Sequence, residues 1–323
     1  MDKAKSSDML LQGLLNQIQR FTPSGQQHQC LLWIDPAQAD PFEGNPLLEK
    51  KRIRVPIQHP RFDPSRAPYL VPLDLTHSAD AELFKNTVDL AWLGWSTEYL
   101  QARRGQAICG WVTTSSSARA IAAHWARKCH LHIRQRQSKL LRFQDPGVRE
   151  WLWPTLNRTQ QQAMLGPAAA LHAVGRGQLL IGHHCGTGIH PLSDYPVLQL
   201  NQAQWDEVED YATVHSAWLK WCGRAPGEAQ LLGHEWERPI LGALSQATHL
   251  GVRDTPDREL FALHALQLGA HFHQLPELQE VWQKTRAGDF YGNAIEERTG
   301  KSVDKLVLWV KTQRHHCSEG KHG

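Results

Sequence analysis

The sequence predicts an α+β protein, with an α/β-like N-terminal lobe on a mixed sheet and an all-helical C-terminal lobe. Three observations predict this class. Short apolar runs of strand length occur before about residue 200. One of them, residues 107–113, is followed by serines that can cap a helix and then by an amphipathic helix, an alternation typical of α/β or α+β lobes. Beyond residue 200, apolar residues recur at helical spacing only.

The length of the chain suggests two domains. It has 323 residues, and domains commonly hold roughly 100–200 residues each. We predict a first lobe over residues 1–200 and a helical lobe over 201–313. Residues 314–323 are polar and contain glycine, so they are predicted to form a flexible tail.

The N-terminus and the cysteines indicate a cytoplasmic protein. The first residues carry charges of both signs, and no apolar run of the about 7–15 residues that a secretory signal needs follows them. No stretch approaches the roughly 18 apolar residues of a transmembrane helix, so no membrane partner is expected. The six cysteines are scattered without a CxxC pair, which is typical of reduced thiols.

Apolar spacing and helix-breaking residues define the elements of the first lobe. Leucines and Ile18 recur at helical spacing behind Ser7, which can cap a helix. A short apolar run that stops at Asp35-Pro36 predicts a buried strand. The predicted elements are, in order, a helix over 7–20, a strand over 30–34, a proline-rich connection over 36–72 with a short strand at 69–71, a helix over 80–104, a strand over 107–113 and a helix over 118–129.

Residues 140–167 are predicted to form a strand and two short helices. The strand is Leu140–Phe143. Asp145 suits the N-cap of the first helix, because its carboxylate can accept unpaired backbone N–H groups, and Pro146 suits the first helical position. Pro154 ends that helix, since the residue before a proline is pushed out of the helical region.

The second helix of this segment and the helical lobe follow from the same rules. Thr159 and Gln162 stand at capping-box spacing, and Gly166-Pro167 ends the helix. The remaining predicted elements are a strand over 178–182, a helix over 205–222, a linker or loop over 223–239, and helices over 239–250, 257–272, 276–287, 290–299 and 302–313, the last capped by Ser302.

Charge and aromatic content narrow the functional class. Lys and Arg exceed Asp and Glu by 35 to 32, a net charge of +3, which argues against a dedicated nucleic-acid binder. The 13 tryptophans are the unusual number, because tryptophan is enriched where proteins bind proteins. Trp33 and Trp125 fall on apolar strand and helix faces, which favours the core for these two.

One segment carries a resemblance to a known family. Arg142-Phe143-Gln144-Asp145-Pro146, followed by Leu152, Leu156 and Gly166-Pro167, resembles the hallmark of the bacterial type VI secretion effector chaperones, also called adaptors. Gln144 stands where that family commonly has an aromatic residue, and Gly147 where it commonly has arginine. The resemblance covers about residues 28–185.

The resemblance implies a cytoplasmic protein without enzymatic activity. Such a protein binds a toxic effector and delivers it to the VgrG spike, and it needs no cofactor, no metal and no catalytic residue. Trp151 and Trp153 are the candidate docking residues of the hallmark segment, and we expect only one of them to be exposed. The full set of candidate partner-binding residues is Arg142, Phe143, Asp145, Pro146, Trp151, Trp153, Trp218 and Trp221.

Two alternatives remain at this point. The segment His183–His190 holds three histidines and Cys185, so it could ligate zinc in a metal-dependent enzyme. Its spacing matches no familiar zinc pattern, and adjacent His183 and His184 would face opposite sides of a strand. The second alternative is a helical interaction scaffold with no role in secretion.

Overall fold

The fold is α+β, as the sequence predicts. The computed structural model describes residues 3–22, 29–59, 62–102, 105–132, 138–185, 195–232, 236–300 and 306–310. Its contacts divide the chain into two compact units, Met1–Val208 and Glu209–Gly323. None of the described helices combines the length and apolar character that crossing a membrane requires. The predicted tail over 314–323 and the predicted cap Ser302 lie outside the described residues.

Helices dominate the structure. The α-helices are α1 (Lys3–Arg20), α2 (Pro46–Lys51), α3 (Ser78–Leu93), α4 (Thr97–Gln101), α5 (Ala118–Cys129), α6 (Pro146–Leu152), α7 (Arg158–Leu165), α8 (Gln202–Arg224), α9 (Pro226–Leu232), α10 (Glu237–His249), α11 (Thr255–Leu268), α12 (Gln279–Ala287) and α13 (Tyr291–Thr299). Residues 306–310 are also helical. The strands are β1 (Gln29–Ile34), β2 (Ile53–Arg54), β3 (Tyr69–Leu73), β4 (Ile108–Thr114), β5 (His130–His132), β6 (Ser138–Leu140), β7 (Ala170–Val174) and β8 (Leu180–His183).

One sheet of six strands organises the N-terminal unit. Its strand order is β2-β3-β1-β4-β7-β8, and β5 and β6 form a separate hairpin. Every neighbouring pair is antiparallel. The predicted mixed sheet is therefore wrong. Helices lie between several of the strands in sequence, as they do in a sheet with parallel pairs. Each strand nevertheless runs antiparallel to its neighbours in the sheet.

Strand β1 lies at the centre of the sheet, and both of its faces are buried. Leu32 packs with residues of α1 and α3 in one apolar cluster. Trp33, the next residue, points to the opposite face and stacks on Trp125 of α5 with 4.0 Å between ring centroids. Both tryptophans are buried, so the prediction that they belong to the core is confirmed.

The C-terminal unit is helical in its described part. Aromatic side chains from three helices and a short 3₁₀ turn form its core, and all of them are buried. His264 lies within this core and shares a hydrogen bond of 2.8 Å with the hydroxyl of Tyr291. The aromatic core residues are Phe261, Phe272, Trp282 and Tyr291.

Several predicted elements need correction. The strand predicted over Leu140–Phe143 ends at Leu140, because the next residues turn into the cap of α6. Strand β7 was not predicted. The predicted linker over 223–239 contains α9, which starts with Pro226 at a position where its missing N–H costs nothing. The capping box belongs to Asn157 and Gln160 rather than to Thr159 and Gln162, so α7 starts earlier than predicted.

Candidate functional site

The start of α6 has the predicted capping geometry. The Asp145 carboxylate accepts hydrogen bonds from the backbone N–H groups of Gly147, at 2.9 Å, and Val148, at 3.4 Å. Pro146 occupies the first helical position and is buried. The two residues fix where α6 begins and thus where its later side chains point.

A buried arginine holds the turn before α6 against the sheet. Arg149 is fully buried, and its guanidinium donates to the carbonyl oxygens of Phe143 and Gln144, at 2.7 Å each, and of Cys109 on β4. It also lies 5.3 Å from the ring centroid of Trp33. Burial lowers the pKa of Arg149 to about 10, which leaves the side chain a cation at neutral pH. Backbone carbonyl oxygens therefore stabilise this buried charge.

The Cys109 carbonyl faces Arg149 because β4 contains a bulge. Trp33 pairs with Gly110 and Ile34 with Ile108, so Cys109 is the extra residue. Gly110 has φ of +140°, and a Cβ at this position would overlap the backbone carbonyl oxygen of His172. Only glycine adopts this conformation without strain, so it permits both the bulge and the close approach of β7.

An ion pair connects the hallmark segment to the residue that follows β1. Arg142 donates to the Asp35 carboxylate at 3.0 Å, although the two residues lie far apart in sequence. The Asp35 side chain is only 2 % exposed, whereas that of Arg142 is 44 % exposed. Gln144 also approaches the same carboxylate, at 3.4 Å. The pair ties the end of β1 to the turn before α6.

Phe143 is part of the core. Its ring lies 5.3 Å from that of Trp33 and 5.8 Å from that of Trp125, and the side chain is fully buried. Trp218 and Trp221 on α8 are also buried, and Trp218 stacks on Trp236 at 4.7 Å. In this conformation these three candidates support the fold and offer no surface to a partner.

The two tryptophans at the end of α6 are both half-buried. The indole N–H of Trp151 donates to Glu207 at 2.6 Å, and the Arg176 guanidinium lies 5.0 Å from the Trp151 ring. Trp153 packs against the ring of His183 at 4.6 Å. Both rings thus keep part of their surface exposed. The exposed Pro154 and Thr155 follow them, and we refer to Trp151, Trp153, Pro154 and Thr155 as the α6-end surface.

A known family model matches a region that includes this segment. Residues 64–163 match the family model of a domain of unknown function (DUF4123). The matched region contains the ion-pairing Arg142, the buried Arg149 and both tryptophans of the α6-end surface, but not Trp218 or Trp221. It covers about a third of the chain, so the chain contains a region similar to this domain. Neither the curated proteins nor the solved structures provide a significant match.

The histidine-rich segment offers no metal site in its described part. No group of three or more His, Cys, Asp or Glu side chains suited to a metal ion occurs in the described ranges. His183 packs on Trp153, whereas His184 lies 5.0 Å from the Phe21 ring on the opposite face of β8, as their alternation predicts. Residues 186–194, which include His190, lie outside the described residues.

No sequence pattern indicated the roles of Arg149 or Gly110, and Asp35 was expected only to end a strand. Arg149 follows the Asp145 cap by four residues and shares a helix face with apolar neighbours, which is the one local signal of its burial. Its acceptor on β4 is 40 residues away. No spacing rule connects these positions, because a bulge and the packing of two elements create the contact.

Buried histidines make the stability of the N-terminal unit pH-dependent. Burial lowers the pKa of His172 and of His124 to about 4, and that of His183, which also lies near the Arg149 cation, to about 3. Unfolded histidine titrates near 6.5, so the unfolded chain binds protons first as the pH falls. We therefore expect the stability present above pH 6.5 to fall by up to about 1.4 kcal/mol per pH unit for each histidine between about pH 6 and 4.

The measurement is urea unfolding at a series of pH values, compared with the variant His183→Phe. Among the described residues, neither ring nitrogen of His183 has a hydrogen-bond partner, so phenylalanine removes a titrating group without removing any of the described hydrogen bonds. Between pH 6 and 5, we expect the slope of unfolding free energy against pH to decrease by about 1.4 kcal/mol per pH unit, which corresponds to one proton. An unchanged slope in the variant would contradict the assignment to His183.

Proposed function

We propose that this protein is a cytoplasmic chaperone or adaptor that binds a type VI secretion effector and loads it onto the VgrG spike. The observation that carries the proposal is the match of residues 64–163 to DUF4123, which overlaps the segment that resembles the effector chaperones. The proposal includes no enzymatic activity, cofactor or nucleic acid.

The geometry of the hallmark segment supports a division of roles within it. The start of α6 is held by the buried Phe143 and Pro146 and by the hydrogen bonds of the exposed Arg142 and the half-buried Asp145. The helix then ends in the α6-end surface, whose half-buried indole rings are bordered by the polar side chains of Glu207 and Arg176. A partly exposed aromatic centre with a polar border is typical of protein docking sites.

Affinity capture tests the function. The tagged protein is co-expressed with the VgrG and the effector encoded beside its gene, and we expect both to be recovered with it. The effector should also reach a lower steady-state level in cells that lack this protein. Recovery of neither partner, or unchanged effector levels, would overturn the proposal.

Substitution of the α6-end surface tests the docking site. We expect the double variant Trp151→Ala with Trp153→Ala to recover at least about tenfold less effector, because buried interface tryptophans commonly contribute about 2 kcal/mol or more. Leu47→Ala is the matched control, since Leu47 is an apolar side chain that is 72 % exposed elsewhere on the N-terminal unit. Equal loss in both variants, or undiminished recovery by the double variant with its melting temperature preserved, would contradict this role.

A further inference from the structure

Strand β8 is an edge of the six-stranded sheet, and its outer side is unpaired within the part of the chain that the structure describes. It follows β7 in a hairpin, and no strand lies beyond it in the described sheet. The backbone N–H of Gly175 donates to the carbonyl of Leu179 at 2.8 Å. This bond establishes which opposite residues of β7 and β8 exchange hydrogen bonds and which do not. Ile181 and His183 therefore direct their backbone groups toward β7, and Leu180 and Gly182 direct theirs outward.

Three observations support this assignment. His172 lies opposite Gly182, and its carbonyl oxygen is directed toward Gly110 of β4. This direction is expected of a residue whose backbone does not hydrogen-bond to β8. Gly182 is itself exposed, whereas the rest of β8 is half-buried or buried. Within the described ranges, no residue forms a hydrogen bond to the backbone of Leu180 or Gly182 on the outer side. An exposed row of backbone donors and acceptors is complemented by another extended chain.

Side chains form a wall on each face of this edge. On one face, Leu180 packs in the cluster that contains α1, and His184 lies 5.0 Å from Phe21. On the other face, His183 packs against Trp153 of the α6-end surface. A strand added to β8 would thus place alternate side chains against Phe21 and against Trp153.

Positive charge marks one end of the edge. Arg20 is exposed and lies 6.0 Å from the Phe21 ring centroid, and exposed Arg158 lies close enough to act electrostatically on Cys185, two residues after β8. Neither arginine forms an ion pair with any residue of the described ranges. Their charge is complementary to an acidic side chain at this end of an added strand.

We propose that the outer edge of β8 binds an extended segment of a partner polypeptide as a seventh strand of the sheet, with apolar side chains at alternate positions and an acidic residue beside Arg20 and Arg158. Main-chain hydrogen bonds to Leu180 and Gly182 supply affinity, and the two side-chain walls supply selectivity. This inference goes beyond the proposed function, because the added strand need not come from a secretion effector.

Two substitutions at Gly182 distinguish the loss of a backbone hydrogen bond from the effect of an added side chain. Gly182→Pro removes the outward N–H, which the pairing with β7 does not use, and proline is tolerated in edge strands at such positions. Gly182→Ala is the matched control. Its Cβ meets Nδ1 of His172 at 3.4 Å, as the proline Cβ does, but it keeps the N–H.

The probe is a phage-displayed library of random peptides of about ten residues, long enough to span a strand. Peptides selected on the full-length protein are synthesised, and their affinity is measured by fluorescence anisotropy. We expect enrichment of alternating apolar sequences with an acidic end, about tenfold weaker binding to Gly182→Pro, and binding to Gly182→Ala within about twofold of the unsubstituted protein.

Three results would overturn the proposal. They are the absence of enriched peptides, equal binding to the proline and alanine variants, and a dimer of the unsubstituted protein that Gly182→Pro abolishes, which would make a second copy of the chain the occupant. If the proline variant does not fold, hydrogen exchange decides: bound peptide must slow the amides of Leu180 and Gly182. No effector is used, so failure here leaves the proposed function standing, and failure to capture an effector leaves this inference standing.

Discussion

Arg149→Ala is expected to lower the free energy of unfolding of the N-terminal unit by on the order of 3 kcal/mol. The substitution removes the donor from three buried carbonyl oxygens, those of Phe143, Gln144 and Cys109. Each unsatisfied buried acceptor costs about 1–3 kcal/mol, and relief of the cost of burying the cation offsets part of that sum. Urea unfolding followed by circular dichroism measures the loss.

Two further variants show whether the guanidinium itself is required. Arg149→Lys keeps the charge but loses the planar fork in which one terminal nitrogen donates to Phe143 and Gln144 and the other to Cys109, so we expect an intermediate loss. Arg119→Ala removes an exposed arginine from α5 and should change stability by less than about 0.5 kcal/mol. A loss in Arg149→Ala no larger than in Arg119→Ala would show that the carbonyl contacts contribute nothing.

Gly110→Ala is expected to destabilise the same unit at least as strongly, by about 3 kcal/mol or more. A side chain at φ of +140° is strained, and the new Cβ would also overlap the His172 carbonyl oxygen, so β7 must move away from β4. The bulge would be distorted at the same time, which disturbs the Cys109 acceptor of Arg149. The unfolding midpoint in urea measures the effect.

Gly13→Ala is the matched control for this variant. Gly13 lies inside α1, and its added Cβ would meet only the side chain of Leu180, at an ordinary contact distance of 3.6 Å. Alanine in a helix interior is favoured over glycine by roughly 0.5–1 kcal/mol, so this change should stabilise the unit. Similar midpoints for Gly110→Ala and Gly13→Ala would mean that the bulge tolerates a side chain.

Local signals in the sequence predicted the elements that depend on neighbouring residues alone. Asp145 and Pro146 start α6 as expected, because capping and the missing proline N–H act within one turn. Gly166 ends α7 for the same reason. Strand β7 was missed, since its sequence ALHAV contains two alanines and one histidine and only one β-branched residue.

Long-range packing explains most of what the sequence did not reveal at the candidate site. Composition does not distinguish a docking tryptophan from a core tryptophan, and Trp218 is buried because it stacks on Trp236. Trp151 and Trp153 are both half-buried, although helical spacing predicted that only one would be exposed, because the helix ends between them and a 3₁₀ turn redirects Trp153. The contact between Asp35 and Arg142 likewise depends on tertiary structure.

The stacked tryptophan pairs give each unit its own optical signature. The indoles of Trp33 and Trp125 are 4.0 Å apart and inclined by 25°, and those of Trp218 and Trp236 are 4.7 Å apart and inclined by 20°. Neighbouring chromophores held in a fixed, chiral arrangement couple electronically, and this coupling disappears when side-chain packing is lost. The chain therefore carries two intrinsic spectroscopic reporters, one in each unit, whose signals can be separated by replacing one ring of either pair.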